Sequence, residues 1–292
     1  MAEERRGDEY VVQADRAGGE APAHATQGMT HSPSPREWDA ATYHRVSAPQ
    51  HAWGLQVLER LGLKGGEQVL DAGCGSGRVT EALAGRVTAV GGRVTGCDRS
   101  VQMTRAARAT LPAHVPVVTA DLMALPFRAV FDVVFSTATF HWVLDPAGLY
   151  PRLGAVLKPG GRMVAQCGGA GNLRAFHDRV RTLMGLLRFA NRFEGWRDPW
   201  CFLAPEAATT HLHAAGFADP RVWLEAAPTT FASREDYRVF IERVVLGAWM
   251  ARFADAPRDG ETFVDVLCDA AENDATPYTL DYVRLNLEAT HA

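Results

Sequence analysis

Residues 69–80 read VLDAGCGSGRVT, with glycines at 73, 75 and 77 directly behind an apolar run and Asp71. Alternate glycines between a strand-like run and a helical pattern predict a tight strand-to-helix turn. Such a turn lets a ligand approach bare backbone and presents the N–H groups of the helix start. Outward from this turn, short apolar runs alternate with helical patterns: EQVLDAG, GRVTEALAGRV, GGRVTGCD, SVQMTRAARATL, VPVVTAD, FDVVFST, DPAGLYPRLGAVL and GRMVAQC. Strand followed by helix, repeated, predicts an α/β fold with a doubly wound, mostly parallel sheet. Asp145 and Pro146 form a cap and first-turn pair for one of these helices, and KPGG at 158–161 is expected to end it.

Composition narrows the function. A chain of 292 residues, 47% hydrophobic, can bury one substantial core with a lid. A net charge of −4 offers no basic field for a nucleic-acid backbone. No run approaches the length of a membrane span, and the start MAEERRGDEY lacks the apolar stretch of a signal peptide, so the expectation is a cytoplasmic protein. Cys74, Cys97, Cys167, Cys201 and Cys268 show no metal-ligand spacing, and His211 and His213 stand at i, i+2, which does not share a helical face. No metal is expected.

Along the chain, residues 1–36 are rich in small residues and charge and read as a disordered tail. The rest, 37–292, reads as one domain with an N-terminal gate at about 40–62 and helical lid insertions at about 170–215 and 232–276. Trp53, Val57 and Leu61 predict a helix that Gly65 and Gly66 stop. Leu173, Phe176, Val180, Leu183 and Leu187 predict a longer amphipathic one, followed by an aromatic and arginine-rich stretch at 188–202. RVWLEAAPTTF (221–231) and YTLDYVRLNLEA (278–289) are strand-like, and Ser233 with Asp236 forms a capping box. Asp132, at a strand entry, reads as a turn residue.

The glycine loop discriminates between ligands. A mononucleotide loop needs Lys then Ser or Thr where Arg78 and Val79 stand, and the dinucleotide fingerprint wants a small residue at Arg78. Asp71 would repel a diphosphate but attract an ammonium group. S-adenosylmethionine carries that ammonium. Asp98 ends the next strand, at the offset where an acid accepts ribose hydroxyls, and Asp121 ends the third, where it can take the adenine amino group. Cys74 and Gly77 complete the loop, Arg99 follows Asp98, and Met103 is either core or a cushion for adenine.

On these motifs the sequence resembles the class I S-adenosylmethionine-dependent methyltransferases: VLDAGCGSG, GCDRS, ADLMALPF and LKPGGRMV match their successive motifs. Within that class, FSTATFHWVLDP (135–146) and YHRVSAPQHAWGLQVLERL (43–61) resemble the trans-aconitate 2-methyltransferase-like group. The resemblance implies a Rossmann-like sheet of seven strands with the last antiparallel, S-adenosyl-L-methionine as cofactor, and a small-molecule acceptor. It carries Gly73, Gly75, Asp98, Asp121 and Leu122 over as cofactor residues, Ser136 as lining the methionine side, and Tyr43, Gln50 and Trp53 as a gate.

His141 and Trp142 follow the fourth strand and are the candidate catalytic residues, His141 orienting a carboxylate or acting as base for a hydroxyl, Trp142 walling the acceptor. In the lid, Arg188, Arg192 and Arg197 would clamp a polycarboxylate, whereas Phe193, Trp196, Trp200 and Phe202 would wrap an apolar acid. The leading expectation is methyl-ester formation on a carboxylic acid, partnered by neither nucleic acid nor membrane. O-, N- or C-methylation of a secondary metabolite, and a catalytically silent binding module, stay open.

Overall fold

The computed structural model describes residues 48–292. The expected tail at 1–36, the start of the gate and Tyr43 lie outside the described residues. The chain enters through helix α1 (Ala48–Glu59). There follow β1 (Gln68–Ala72), α2 (Arg78–Ala89), β2 (Arg93–Asp98), α3 (Val101–Thr110), β3 (Val117–Thr119), β4 (Phe131–Thr137), α4 (Pro146–Val156) and β5 (Leu157–Gly168). After these come α5 (Arg174–Met184), the short α6 (Leu187–Ala190), α7 (Pro205–Ala214), β6 (Phe217–Ala226) and β7 (Thr229–Thr230). The last stretch holds α8 (Arg234–Phe240), α9 (Gly247–Met250), α10 (Pro257–Glu272), β8 (Thr279–Leu280) and β9 (Val283–His291).

The main sheet has seven strands in the order β3-β2-β1-β4-β5-β9-β6. β1 pairs in parallel with both β2 and β4, and β9 runs antiparallel between β5 and β6. Chain order reverses between β1 and β4, and at such a switch point the loops leaving adjacent strand tips part and open a crevice. The crevice therefore opens beside the glycine loop.

Polar side chains fix the register. Asp132 accepts the Gln68 N–H at 2.8 Å and pairs with Lys158 at 2.8 Å, joining β1, β4 and β5; its role is a three-strand clamp rather than the expected turn. On β9, Asn286 accepts from Gln166 Nε2 at 2.8 Å and from Arg60 at 2.6 Å, which ties β5 and α1 to this inserted strand. KPGG does not end α4, which stops at Val156; it lies within β5, where the pairing with β4 shifts register between Phe131 and Val133.

Hydrophobic residues form three groups. Two cover the faces of the sheet, one centred on Leu70, Val134, Tyr150 and Leu153, the other on Val57, Leu83, Val133 and Phe135. The third, with Phe176, Val180, Tyr237, Trp249, Phe253 and Phe263, is a separate core shared by α5, α6 and α8 to α10. Helix α7 is not part of it: Ala208 and Leu212 pack with the sheet, so the first lid segment stops short of the expected 215. The predicted amphipathic helix is also shorter, because α5 ends at Met184 with Gly185 as its cap, and Leu187 is 97% exposed.

The capping box at Ser233 is present, with Ser233 Oγ accepting the Asp236 N–H at 3.1 Å. The helix it opens is interrupted at Ile241–Val245 by a π turn, whose extra residue per turn shifts side chains around the axis. Replacing Ser233 with Ala leaves that N–H without its cap; urea denaturation is expected to show a loss of about 1 kcal/mol.

Candidate active site

The crevice is lined by residues from both the sheet and the lid core. Gly73, Gly75, Asp98, Arg99, Met103, Asp121 and Leu122 stand along one side. His141, Trp142, Trp200, Phe202 and Arg284 stand on the wall shared with the lid. A smaller adjoining hollow is bounded by Gln50, Asp71, Cys74 and Thr137.

The glycine loop is shaped by its backbone. Gly73 and Cys74 both donate to the Cys97 carbonyl, at 2.7 and 2.9 Å, folding the loop back over β2. Gly73, Gly75 and Gly77 have φ of 91°, 54° and 88°, the left-handed region that side chains disfavour. Their surroundings differ. A Cβ on Gly73 would meet Thr139 Oγ1 at 2.1 Å and one on Gly77 would meet Leu111 at 3.1 Å, whereas one on Gly75 would point into open space. Gly77 is thus a packing residue against α3 rather than part of the crevice wall.

Asp98 is oriented by two backbone donors, Gly75 N–H at 2.9 Å to one oxygen and Ser100 N–H at 2.9 Å to the other. Asp121 caps a short turn by accepting the Met123 N–H at 2.9 Å. Asp71 is 2% exposed and accepts from Thr80 Oγ1 at 2.7 Å. Burial pushes its carboxyl up to about 7, assisted by the nearby charge of Asp98 and opposed by the Thr80 bond. Gln50 Oε1 is buried without a hydrogen-bond partner where the two hollows meet.

Two expected lining residues stand elsewhere. Ser136 is 1% exposed and donates to the Ala72 carbonyl at 2.6 Å, locking β4 to β1. Thr137, Ala138 and Thr139 line the crevice in its place, with Ala138 at φ 55°. Trp53 sits one layer back: its ring packs edge-on against Tyr282 at 4.9 Å and under the Arg284 guanidinium at 4.6 Å, and both of those residues reach the crevice.

His141 lies at the wall with its Nδ1 accepting the Gly168 N–H at 3.3 Å. Burial and the Arg284 charge hold its pKa well below the ordinary value, so the ring is neutral. With Nδ1 as acceptor, the proton sits on Nε2, and the ring offers a donor. Its face stacks on Phe202 at 5.7 Å.

None of the three lid arginines lines the crevice. Arg188 pairs with Asp259 at 2.7 Å, Arg192 with Asp255 at 2.6 Å, and Arg197 is exposed. Of the lid aromatics, Trp200 and Phe202 line the crevice, while Phe193 and Trp196 belong to the lid core. Arg284, Asn172, Leu173, Tyr282, Val244 and Val245 also line it and were not singled out from the sequence. One signal for Arg284 was present: in VRLNLE, polar residues alternate strictly with Leu285 and Leu287, as on a strand with one polar buried face. Among the described residues no helix is long and apolar enough to cross a membrane, and no group of His, Cys, Asp and Glu side chains could hold a metal ion.

Residues 70–165 match the family model of a methyltransferase domain. An uncharacterized methyltransferase from Schizosaccharomyces pombe is 27% identical over 78% of this chain and 94% of its own length. The trans-aconitate 2-methyltransferase of Methylobacterium nodulans is 31% identical over 66% of this chain and 69% of its own. That of Paracidovorax citrulli is 38% identical over 44% of this chain, which spans 50% of that relative. In fold, the YcgJ protein from Bacillus subtilis superposes with a TM-score of 0.57 at 17% identity, covering 82% of this chain and 98% of that one. With its sheet order, its crevice and these relatives together, the chain belongs to the class I S-adenosylmethionine-dependent methyltransferases.

The raised Asp71 pKa has a sign that can be checked. Between about pH 4 and the folded value, the native state binds a proton that the unfolded chain has released, so stability falls as pH rises through that window and levels off above it. In Asp71→Asn, denaturant midpoints measured across this range are expected to lose that slope.

Proposed function

We propose that the chain transfers a methyl group to the carboxylate of a small organic acid, forming a methyl ester in the crevice between sheet and lid. The residues on the sheet side suit the cofactor. Asp98, held by two backbone N–H groups, can accept ribose hydroxyls, and Asp121 can accept an adenine amino group with its second oxygen. Met103 and Leu122 give apolar faces for the base, and Arg99 flanks it. Gln50 Oε1 and Asp71 are acceptors suited to the ammonium of the methionine moiety, and the open space over Gly75 lets that moiety pass against backbone. Bound there, S-adenosylmethionine supplies a methyl already activated by sulfonium.

What remains for the protein is alignment, charge and dryness. The observation that carries the carboxylate reading is the pairing at the acceptor wall: Arg284, 3% exposed, stands on the crevice beside a neutral His141 whose Nδ1 is already occupied. A guanidinium and an N–H donor suit an anion. A hydroxyl or ammonium acceptor must lose a proton, and a ring that carries its proton on the remaining nitrogen does not take it. An ionised carboxylate needs no base. His141 thus orients the acceptor oxygen and Trp142 shields the methyl path from water.

Two outcomes test this reading. Gly75→Ala is expected to fold, yet to weaken S-adenosylhomocysteine binding in calorimetry by about tenfold or more, because its methyl group fills the space the ligand needs. At saturating cofactor, turnover is expected to be flat from about pH 6 to about pH 8.5, since the acceptor is ionised throughout. A rise of tenfold per pH unit would instead indicate a base and a hydroxyl acceptor.

A further inference from the structure

We infer that the acceptor is an apolar monocarboxylic acid, one carboxylate on an aromatic or aliphatic body, rather than a di- or tricarboxylate. This rests on the carboxylate reading above and adds the class of acid. Among the described residues, the cations that line the crevice are Arg99 and Arg284. Arg99 follows β2 next to Asp98, at the cofactor side; Arg284 stands on β9 within electrostatic reach of His141. The acceptor side therefore offers one guanidinium.

The rest of that side is uncharged, and beside the neutral polar groups of His141, Asn172 and Tyr282 it is apolar. Trp142, Leu173, Trp200, Phe202, Val244 and Val245 form its surface. The aromatic part is a stacked shelf: Trp200 lies on Phe202 at 5.5 Å with 24° between planes, and behind them His177 stacks on Trp200 at 4.9 Å. His177 is itself uncharged, because burial and the Arg181 charge depress its pKa to about 4. The floor comes from the π turn, which brings the consecutive residues Val244 and Val245 both to the crevice.

Among the described residues, a second or third carboxylate on the acceptor would lie against this shelf without a cation, and a desolvated charge without a partner is strongly disfavoured. None of the lid arginines lines the crevice: Arg188 and Arg192 pair with Asp259 and Asp255, and Arg197 is exposed. Asn172, held in place by its Oδ1 accepting the Val283 N–H at 3.0 Å, is neutral and adds no charge. An aromatic or aliphatic body, in contrast, fits the shelf by burial and stacking.

The test is a panel titrated into the full chain with S-adenosylhomocysteine bound, read by quenching of tryptophan fluorescence from Trp142 and Trp200, and repeated as turnover with S-adenosylmethionine and mass detection of the ester. The probes are decanoate, trans-cinnamate, trans-aconitate and decanol. Decanoate or cinnamate is expected to bind at least about tenfold more tightly than trans-aconitate and to be esterified, with decanol weaker than either. Arg284→Met is expected to weaken decanoate binding about tenfold or more while S-adenosylhomocysteine affinity stays within about twofold. Should that buried substitution unfold the chain, Trp142→Arg, at a half-exposed site, adds a cation and is expected to move preference toward trans-aconitate. Tighter binding and faster esterification of trans-aconitate in the wild-type chain would overturn the inference and leave the carboxylate reading standing. Methylation of hydroxyl or amine acceptors, with no acid bound or esterified, would overturn the carboxylate reading itself.

Discussion

The carboxylate of Asp98, spanning the Gly75 N–H on one side and the Ser100 N–H on the other, holds together the two strand tips on which the whole site is organised. One acid thereby sets the path of the glycine loop and the start of α3. The loop's own backbone cooperates, since Gly73 and Cys74 both reach the Cys97 carbonyl one residue before that acid. A charge-assisted pair of backbone bonds is strong and directional, so the cradle exists before any ligand arrives. Pre-formed sites lose less conformational freedom on binding.

The architecture divides the labour between two cores. The sheet, with its switch point at β1 and β4, supplies the polar side of the crevice; the lid core around Trp249, Phe253 and Phe263 backs the more apolar side. Strand β9 joins them, because it begins beside the lid, carries Arg284 to the crevice, and is then clamped through Asn286 to β5 and α1. The buried guanidinium and the apolar wall of the crevice thus belong to different layers.

Much of this was legible in residue order. Strand–helix alternation predicted the sheet, and the spacing of Gly73, Asp98 and Asp121 predicted residues that do line one crevice, since each signal is local and carries a backbone reason. What was illegible depends on partners far away in sequence. Nothing in the segment containing Arg188 and Arg192 reveals that Asp255 and Asp259, more than sixty residues later, neutralise them. Ser136 carries the right chemistry for a lining residue, but strand geometry aims it at the Ala72 carbonyl, and the lining falls to Thr137. Trp53 reads as a gate and acts instead as the platform beneath Arg284. The π turn leaves no composition signal at all.

That turn bears on how such a pocket changes over generations. A helix with one surplus residue is one deletion away from regular geometry, and regularising it would rotate everything downstream by about 100°. Val244 and Val245 would no longer share the crevice, and Trp249 would leave its stack with Trp196. A single codon lost or gained in the segment at 241–245 is therefore enough to redraw the lid wall of the crevice, while the glycine loop, built on another layer, stays as it was.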